Sequence, residues 1–305
     1  MDPVAAVSAD PSRPLVVGID MGYGHMRPGT ALADALGGRV HSCDRPPLAA
    51  ADEAALWKRA RSFYEWATRW SAVPILGVPL RPVVSNLTEI ARLHPYRDQS
   101  HATWPIKRLM RSIQEGLGHG LAETLKETGR PLLTTYFAPA HAADHHGVEH
   151  IYCVVTDSDI HRIWAPLEPK RTRIQYLVPS RRAMRRLRAY GVDEQRIHVT
   201  GYPLPGELLG GEDLSVLKRN LAARLVRLDP HGTFRDAYPD ELRTFLGALP
   251  AAEEGRPPLV TFAVGGAGAQ TGIIRQALPG LRPLIEGERI RLALVAGIRP
   301  EVEAA

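Results

Sequence analysis

The sequence predicts an α/β fold whose central sheet is mainly parallel. A short apolar run at residues 15–19 ends in a glycine-rich turn, a helical pattern follows, and residues 39–43 return to a strand pattern. Short, continuously apolar runs are typical of strands buried on both faces of a parallel sheet. The same succession of strand, glycine turn and helix recurs at residues 259–285. We therefore expect two Rossmann-like halves, the first complete and the second only begun.

Alternating strand and helix patterns continue along the chain. Apolar spacings of three and four predict a helix at 52–70, and a helical pattern returns at 106–127. Pro28 suits the first position of the first helix, and Ser180 suits the N-cap of a later one. The strand at 259–264 is expected to be buried. The other candidates are strands at 131–137, 150–156, 174–178, 196–200 and 290–296 and a bridging helix at 215–226.

These elements divide the chain into successive parts. After a disordered lead at 1–13, a Rossmann-like domain is expected at 14–202, with a helical, tryptophan-rich insertion near 52–127. A hinge and bridging segment follows at 203–257. Residues 258–305 are expected to form an incomplete second domain, because such domains usually take on the order of 100 to 200 residues.

The size and composition of the chain are those of a globular protein with room for two domains. It has 305 residues, of which 44% are hydrophobic and 23% charged, as in ordinary soluble domains. We expect no transmembrane helix, because no apolar run reaches about 18 residues. No signal peptide is recognisable, and Cys43 and Cys153 are too few for a disulfide framework. These features predict a cytoplasmic protein.

The net charge of +5 favours anionic partners such as nucleotides, phosphates or an acidic membrane surface. A basic, tryptophan-rich helix at 56–70 could make peripheral contact with a membrane, although packing on the sheet is the favoured alternative. One predicted helix is rich in arginine, and we interpret its run as a solvated face. No nucleic-acid partner is expected, because no aromatic platform or nucleic-acid motif accompanies this run. The arginines are Arg181, Arg182, Arg185, Arg186 and Arg188.

The loop after the first strand is the first candidate site. Gly22 and Gly24 match the first two glycines of a G-x-G-x-x-G dinucleotide fingerprint, but Arg27 occupies the third position. A glycine turn at a helix N-terminus still suits an anion or a closely approaching substrate. His25 lies at the mouth of this turn, where a neutral imidazole could accept a proton from a hydroxyl near neutral pH. The alternative is a turn histidine that binds a neighbouring carbonyl.

Three later motifs have a functional and a structural interpretation. Gly265, Gly266 and Gly268 could expose consecutive amides to a phosphate, or form an ordinary βα turn. The D-x-D pattern of Asp157 and Asp159 could hold a divalent ion with a nucleotide diphosphate, or reflect chance and helix capping. The histidine-rich stretch could suggest zinc, but it lacks the glutamate of H-E-x-x-H, and solvated or capping roles are favoured. Its histidines are His141, His145, His146 and His150.

Three stretches together resemble the GT-B glycosyltransferases, nearest to the branch of the monogalactosyldiacylglycerol synthases and the peptidoglycan N-acetylglucosaminyltransferase. The first is "DMGYGHMRPGTALADAL", which is similar to the glycine–histidine loop and first helix of that group. The second is "VVTDSDIHRIWAP" followed by "YLVPSRRAMRRLRAYGVDEQRIHVTGYPL". The third, "LVTFAVGGAGAQTG", resembles the start of the C-terminal donor domain. The resemblance covers about half of the chain and depends on the order of these pieces.

The resemblance implies two facing Rossmann-like domains and a nucleotide-sugar donor, most often a uridine diphosphate sugar. It implies transfer of the sugar to a hydroxyl acceptor (a small molecule, a glycan or a lipid), expected to invert the anomeric centre, with no metal and no cofactor. We take His25 and Asp157 as the candidate catalytic residues. The other candidates are Gly22, Tyr23, Gly24 and Arg27 in the acceptor loop, Thr156, His161 and Tyr202 in the cleft, and Gly265, Gly266 and Gly268 at the donor diphosphate.

The sequence departs from this pattern in two ways. Tyr23 stands where relatives often have another glycine, and the second domain is expected to need a missing segment or a partner chain to complete it. We therefore expect the chain alone to turn over poorly. Two other functions stay open: a nucleotide-sugar epimerase of the same fold, and a degenerate binding or scaffold protein without activity.

Overall fold

A computed structural model describes residues 12–19, 23–60, 62, 90–251, 257–264, 271–296 and 303. The chain separates into two compact units, residues 1–203 and 204–305. Most of the predicted lead at 1–13 lies outside the described residues. Residues 61 and 63–89 of the predicted tryptophan-rich insertion also lie outside the described residues.

The first unit confirms the predicted α/β fold with a parallel sheet. Its strands are β1 (Leu15–Gly18), β2 (His41–Ser42), β3 (Leu132–Thr134), β4 (Ile151–Val154), β5 (Gln175–Val178) and β6 (Ile197–Val199). Its helices include α1 (Tyr23–Ala35), α2 (Trp104–Gln114), α3 (His119–Thr128), α4 (Phe137–His145) and α5 (Arg181–Ala189). Among the described residues, six strands lie in the order β2-β1-β3-β4-β5-β6, with every neighbouring pair parallel.

The helical pattern predicted at 106–127 is confirmed and is divided between two helices, α2 and α3. Gly116 and Gly118 lie between them with φ angles of 112° and 79°. Glycine adopts this left-handed region without the steric cost that a Cβ brings. The break lets the chain turn, so that two short helices can each place a buried face on the core.

Of the two predicted helix starts, the one at Pro28 is wrong and the one at Ser180 is confirmed. Helix α1 begins at Tyr23, so Pro28 lies inside it and not at its first position. The proline removes one backbone hydrogen bond close to the start of the helix, and α1 continues past it to Ala35. The predicted cap of α5 is confirmed, because the hydroxyl oxygen of Ser180 accepts from the backbone N–H of Ala183 at 3.3 Å.

The sheet has a large core on one face and a small one on the other. Successive strand residues point to opposite faces: Leu15 and Val17 lie in the large core with α3, α4 and α5. Val16 lies in a small cluster with Ala33 of α1. Trp57, only 2% exposed, belongs to the large core. The packing interpretation of the tryptophan-rich helix is therefore confirmed for its described part.

The interpretation of the arginine run as a solvated face is wrong for Arg186. This side chain is 1% exposed, and its Nε and Nη2 donate to the two carboxylate oxygens of Asp159 at 2.8 and 3.0 Å. It also donates to the carbonyl oxygen of Ala91 and the side-chain oxygen of Gln99. Arg182 contacts the same carboxylate from the exposed side of α5. A buried guanidinium needs such partners, because an unpaired buried charge is very unfavourable.

The second unit contains a two-stranded parallel sheet. Its elements are α6 (Gly206–Leu209), α7 (Ser215–Leu228), α8 (Thr233–Ala237), α9 (Pro239–Leu246), β7 (Leu259–Ala263), α10 (Thr271–Glu286) and β8 (Arg291–Val295). The helix predicted at 215–226 is confirmed as α7. The prediction of a buried strand at 259–264 is wrong: Leu259 and Val260 are 53% and 39% exposed, because two paired strands have too few neighbours to cover both faces. No described helix is both long and apolar enough to cross a bilayer.

The ion pair between Arg186 and Asp159 gives a stability prediction. Asp159→Asn leaves a buried guanidinium without its charge partner, and we expect the free energy of unfolding to fall by about 3 kcal/mol. Arg182→Ala removes a partner that is 64% exposed and should cost at most about 1 kcal/mol. Urea unfolding of both variants measures the difference. An Asp159→Asn loss no larger than that of Arg182→Ala would contradict the assignment.

The same pair predicts a pH dependence of stability. Partial burial opposes ionisation of Asp159, but hydrogen bonds from Arg186 and Arg182 outweigh it and lower the pKa of the carboxyl below 3.8. A carboxyl with a lowered folded-state pKa stabilises the fold above its unfolded-state pKa, and this contribution is lost as the pH falls through the folded-state pKa. Urea unfolding at acidic pH should therefore show a shrinking difference between the wild type and Asp159→Asn.

Candidate active site at the strand-order reversal

The strand order reverses between β1 and β3. From β1 the chain passes through α1 to β2 on one side, whereas from β3 it passes through α4 to β4 on the other. At such a reversal the two connections diverge and leave a crevice at the carboxyl ends of the strands, where open α/β sheets bind their ligands. His25 follows β1 and Thr135 follows β3. Both residues therefore border the crevice.

Polar groups from two neighbouring strands hold His25. Its Nδ1 lies 3.0 Å from the carbonyl oxygen of Thr135 and 3.1 Å from the hydroxyl oxygen of Thr156, which follows β4. The hydroxyl of Thr135 donates to the carbonyl oxygen of His25 at 2.9 Å. Among the described residues, none hydrogen-bonds to Nε2. The alternative of a carbonyl-binding histidine is therefore confirmed for Nδ1.

Aromatic side chains and a carboxylate set the protonation of His25. Tyr136 meets the imidazole edge to face at a centroid distance of 5.1 Å, and the Trp164 ring lies 6.4 Å away. Burial lowers the pKa of His25 below 6.5, although the Asp157 carboxylate and the hydrogen bond to the Thr135 carbonyl oppose this shift. His25 is therefore mainly neutral at pH 7 and able to accept a proton.

Asp157 is the acidic partner of His25. The residue is exposed, yet the protein around its carboxylate raises its pKa above 3.8 by partial desolvation. The neighbouring His25 and a hydrogen bond from the side chain of Trp164 oppose this rise. The pair is arranged so that a proton taken up by the imidazole would be stabilised by the carboxylate.

Buried hydrogen bonds fix the loop that carries Asp157 and Trp164. The hydroxyl of Tyr176 donates to the carbonyl oxygen of Trp164 at 2.8 Å, and that of Tyr190 donates to the carbonyl oxygen of Ile160 at 2.7 Å. Other carbonyls of the loop accept from the buried side chains of His141 and Arg162. These bonds satisfy backbone groups that would otherwise be buried without partners, and they hold Trp164 beside His25.

Two further predicted residues, Tyr202 and Arg27, lie near Asp157 or near each other, as the effects on the pKa of Tyr202 show. Tyr202 is 42% exposed, and partial burial and the Asp157 carboxylate raise its pKa, whereas Arg27 lowers it. Arg27 itself is exposed in α1. The structure therefore brings His25, Asp157, Thr156, Tyr202 and Arg27 into one neighbourhood.

His161, in contrast, has a local structural role. Its Nδ1 accepts from the backbone N–H of Ile163 at 3.4 Å and so caps a short 3₁₀ turn at Arg162–Trp164. Within the described residues no contact joins it to His25. His161 thus shapes the loop that carries Trp164 and is not brought into the cluster around the imidazole.

Several predicted residues lie outside the part of the chain that the structure describes. These are Gly22 in the acceptor loop and Gly265, Gly266 and Gly268 in the predicted diphosphate loop. Tyr23 is described only as the first residue of α1. Gly24 is exposed, and a Cβ built on it would meet no described atom within 4 Å.

The alternatives that involved metal ions find no support in the geometry. Asp159 forms an ion pair with Arg186, whereas Asp157 interacts electrostatically with His25, so the two carboxylates of the D-x-D pattern have different partners. His141 is 1% exposed and donates its Nε2 proton to the carbonyl oxygen of Ile163. In the described ranges, no three potential ligands are placed to hold a metal ion.

Sequence reasoning missed Thr135, Tyr136 and Trp164. The first two directly follow β3, one strand away from His25 in the sheet. The signal that could have found them is the strand order, because it brings the carboxyl end of β3 beside that of β1. Trp164 lies within the motif "VVTDSDIHRIWAP", but neither spacing nor periodicity shows that its ring approaches an imidazole.

A pocket of about 420 Å³ lies elsewhere in the first unit. Its lining includes Glu149, Tyr152, Arg173, Arg196 and His198. These residues belong to or flank the amino ends of β4, β5 and β6, whereas His25 lies at the carboxyl ends of the strands. The pocket is therefore separate from the candidate active site.

The electrostatic pairing of His25 with Asp157 can be tested directly. Because the carboxylate raises the pKa of His25 against the effect of burial, Asp157→Asn should lower that pKa further. NMR titration of the imidazole protons, with His25→Gln used to assign the resonance, measures the change. Glu149→Gln, at an exposed position before β4, is the matched control and should leave the titration unchanged. An unchanged or raised pKa in Asp157→Asn would show that the pairing is absent.

Comparison with models of protein families, with curated proteins and with solved structures finds no match to this chain. The chemistry around His25 is therefore the basis for assigning a function.

Proposed function

We propose that this chain is a GT-B-like glycosyltransferase that transfers a sugar from a nucleotide sugar to a hydroxyl acceptor. The observation that carries the proposal is an imidazole at the strand-order reversal whose Nδ1 contacts Thr135 and Thr156, while no described residue hydrogen-bonds to its Nε2. Open α/β sheets place ligands at this position. The motif resemblance adds the donor, a uridine diphosphate sugar, and transfer without a metal.

The site supplies what an inverting transfer requires on the acceptor side. The acceptor oxygen attacks the anomeric carbon and forms the new glycosidic bond, while the bond from that carbon to the diphosphate oxygen breaks. The diphosphate leaves with the bonding electron pair, and the hydroxyl proton passes to Nε2 of His25. The imidazolium that results is stabilised by the nearby carboxylate of Asp157. A single displacement of this kind inverts the anomeric centre.

The surroundings of His25 suit an acceptor that approaches from solvent. Tyr202 and Arg27 are exposed, and Tyr202 lies within electrostatic reach of both Asp157 and Arg27. Both can donate hydrogen bonds to the hydroxyls of a small molecule, a glycan or a lipid headgroup. Tyr136 and Trp164 are buried beside the ring, so they restrict water around Nδ1 and leave the solvent side for the acceptor.

Product analysis tests the proposal. The chain is incubated with UDP-glucose, UDP-galactose or UDP-N-acetylglucosamine, with and without a panel of hydroxyl acceptors, and the products are identified by mass spectrometry and NMR. We expect acceptor-dependent release of UDP, slow as predicted for this chain alone, and a product with inverted anomeric configuration. An isomerised donor formed without acceptor would indicate an epimerase, and binding of UDP without turnover would indicate a scaffold. Either result would contradict the proposed transfer.

Substitution of His25 tests its role as the base. His25→Gln keeps a polar side chain but cannot take the proton, and we expect the turnover number to fall by about 10² to 10⁴-fold. His198→Gln is the matched control, because His198 is exposed in β6 and bonds only to Gln175 at 3.0 Å among the described contacts. Equal activity of His25→Gln and the wild type would remove His25 from the mechanism.

Turnover should increase with pH on the acid side of its profile. The base works in its neutral form, so activity rises with pH through the pKa of His25 in the complex. Because burial lowers that pKa, the acid limb of the kcat profile should lie below pH 6.5. Asp157→Asn should move this limb to still lower pH, since it removes the carboxylate that raises the pKa. A limb above pH 6.5 would contradict the assignment.

A further inference from the structure

Thr135 contacts His25 at two points. Its carbonyl oxygen lies 3.0 Å from Nδ1, and its hydroxyl donates to the carbonyl oxygen of His25 at 2.9 Å. The two residues are 110 positions apart in the chain and meet only because β1 and β3 are neighbours. Thr135 is fully buried, so this arrangement is part of the packed core and not a surface contact.

The carbonyl of Thr135 discriminates between the two neutral forms of the imidazole. A carbonyl oxygen can only accept, so it is stabilised by an Nδ1 that carries the proton. In the other form the lone pair of Nδ1 would face the oxygen lone pairs at 3.0 Å. The hydroxyl of Thr156, 3.1 Å from the same nitrogen, does not discriminate, because a hydroxyl can donate or accept.

We propose that Thr135 is a positioning residue that fixes His25 with the proton on Nδ1 and the lone pair on Nε2. Its carbonyl selects this form, and its hydroxyl bond to the His25 backbone holds that carbonyl opposite the ring. The proton acceptor is thereby placed on the ring nitrogen that has no protein partner among the described residues. The consequence for catalysis rests on the proposed function, whereas the state of the ring does not.

The chain offers matched variants. Thr135→Val keeps the shape and removes the hydroxyl that anchors the carbonyl, and Thr135→Ser restores that hydroxyl. Thr134→Val is the structural control, because Thr134 is equally buried and its hydroxyl bonds only to the backbone of Tyr136. Thr156→Val removes the hydroxyl that suits either form. The two buried threonine-to-valine changes should cost similar stability, so only an effect on the ring separates them.

The state of the ring is read from the ¹⁵N shifts of the two imidazole nitrogens at alkaline pH, where His25 is neutral. His25→Gln identifies the resonances. We expect Nδ1 to be protonated and Nε2 unprotonated in the wild type, Thr135→Ser, Thr134→Val and Thr156→Val. Thr135→Val should shift both nitrogens toward an average of the two forms. A proton on Nε2 in the wild type, or a Thr135→Val spectrum equal to the wild type, would overturn the proposal even if other variants fail to fold.

Turnover gives a second measurement, whose outcome is interpreted separately from that of the ¹⁵N shifts. With the UDP-sugars and acceptors named above, Thr135→Val should lower kcat about ten-fold with KM unchanged, and Thr135→Ser should restore it. If the ¹⁵N shifts behave as expected and no transfer occurs, the proposed function fails while the role of Thr135 stands. If transfer occurs and the shifts do not behave so, the role of Thr135 fails alone.

Discussion

The reversal of strand order between β1 and β3 is the constraint on which the candidate site depends. Parallel strands bring their carboxyl ends to one edge, and the connections through α1 and α4 lead away in opposite directions. The carbonyl of Thr135, which directly follows β3, borders this gap and needs a hydrogen-bond donor. Nδ1 of His25 lies 3.0 Å from it. One hydrogen bond thus satisfies the backbone just after β3 and at the same time fixes the orientation of the imidazole.

A second set of interactions, from side chains of β5 and α5, holds the loop that places Trp164 beside His25. Trp164 lies beside His25 because its loop is held by hydroxyls of buried tyrosines such as Tyr176. The start of the same loop is anchored by the ion pair between Asp159 and the buried Arg186. The surroundings of His25 therefore depend on side chains that do not contact it, and we expect variants that weaken the Asp159–Arg186 ion pair to disturb both stability and the titration of the imidazole.

The parts of the structure that were predictable from the sequence are those fixed by local rules. Short apolar runs predict the parallel strands, and the Ser180 cap bonds to a residue only three positions away. The position of His25 near the carboxyl end of β1 is also predictable, because His25 follows that strand closely in the sequence. Burial of Arg186 and the role of Thr135 depend on partners 27 and 110 positions distant. No spacing rule relates such positions, because the order of strands in the sheet brings them together.

The two carboxylates of the D-x-D pattern show why short motifs need this three-dimensional context. Asp157 and Asp159 are two residues apart, yet one acts on His25 and the other binds Arg186. A divalent ion that used both would have to displace the bidentate guanidinium of Arg186 and leave that buried charge without its partner, which is strongly unfavourable. Asp159 thus anchors the loop, while Asp157 stays close enough to His25 to affect its pKa. The spacing of a short motif therefore does not by itself make a pair of metal ligands, because the surrounding fold decides which partner each carboxylate meets.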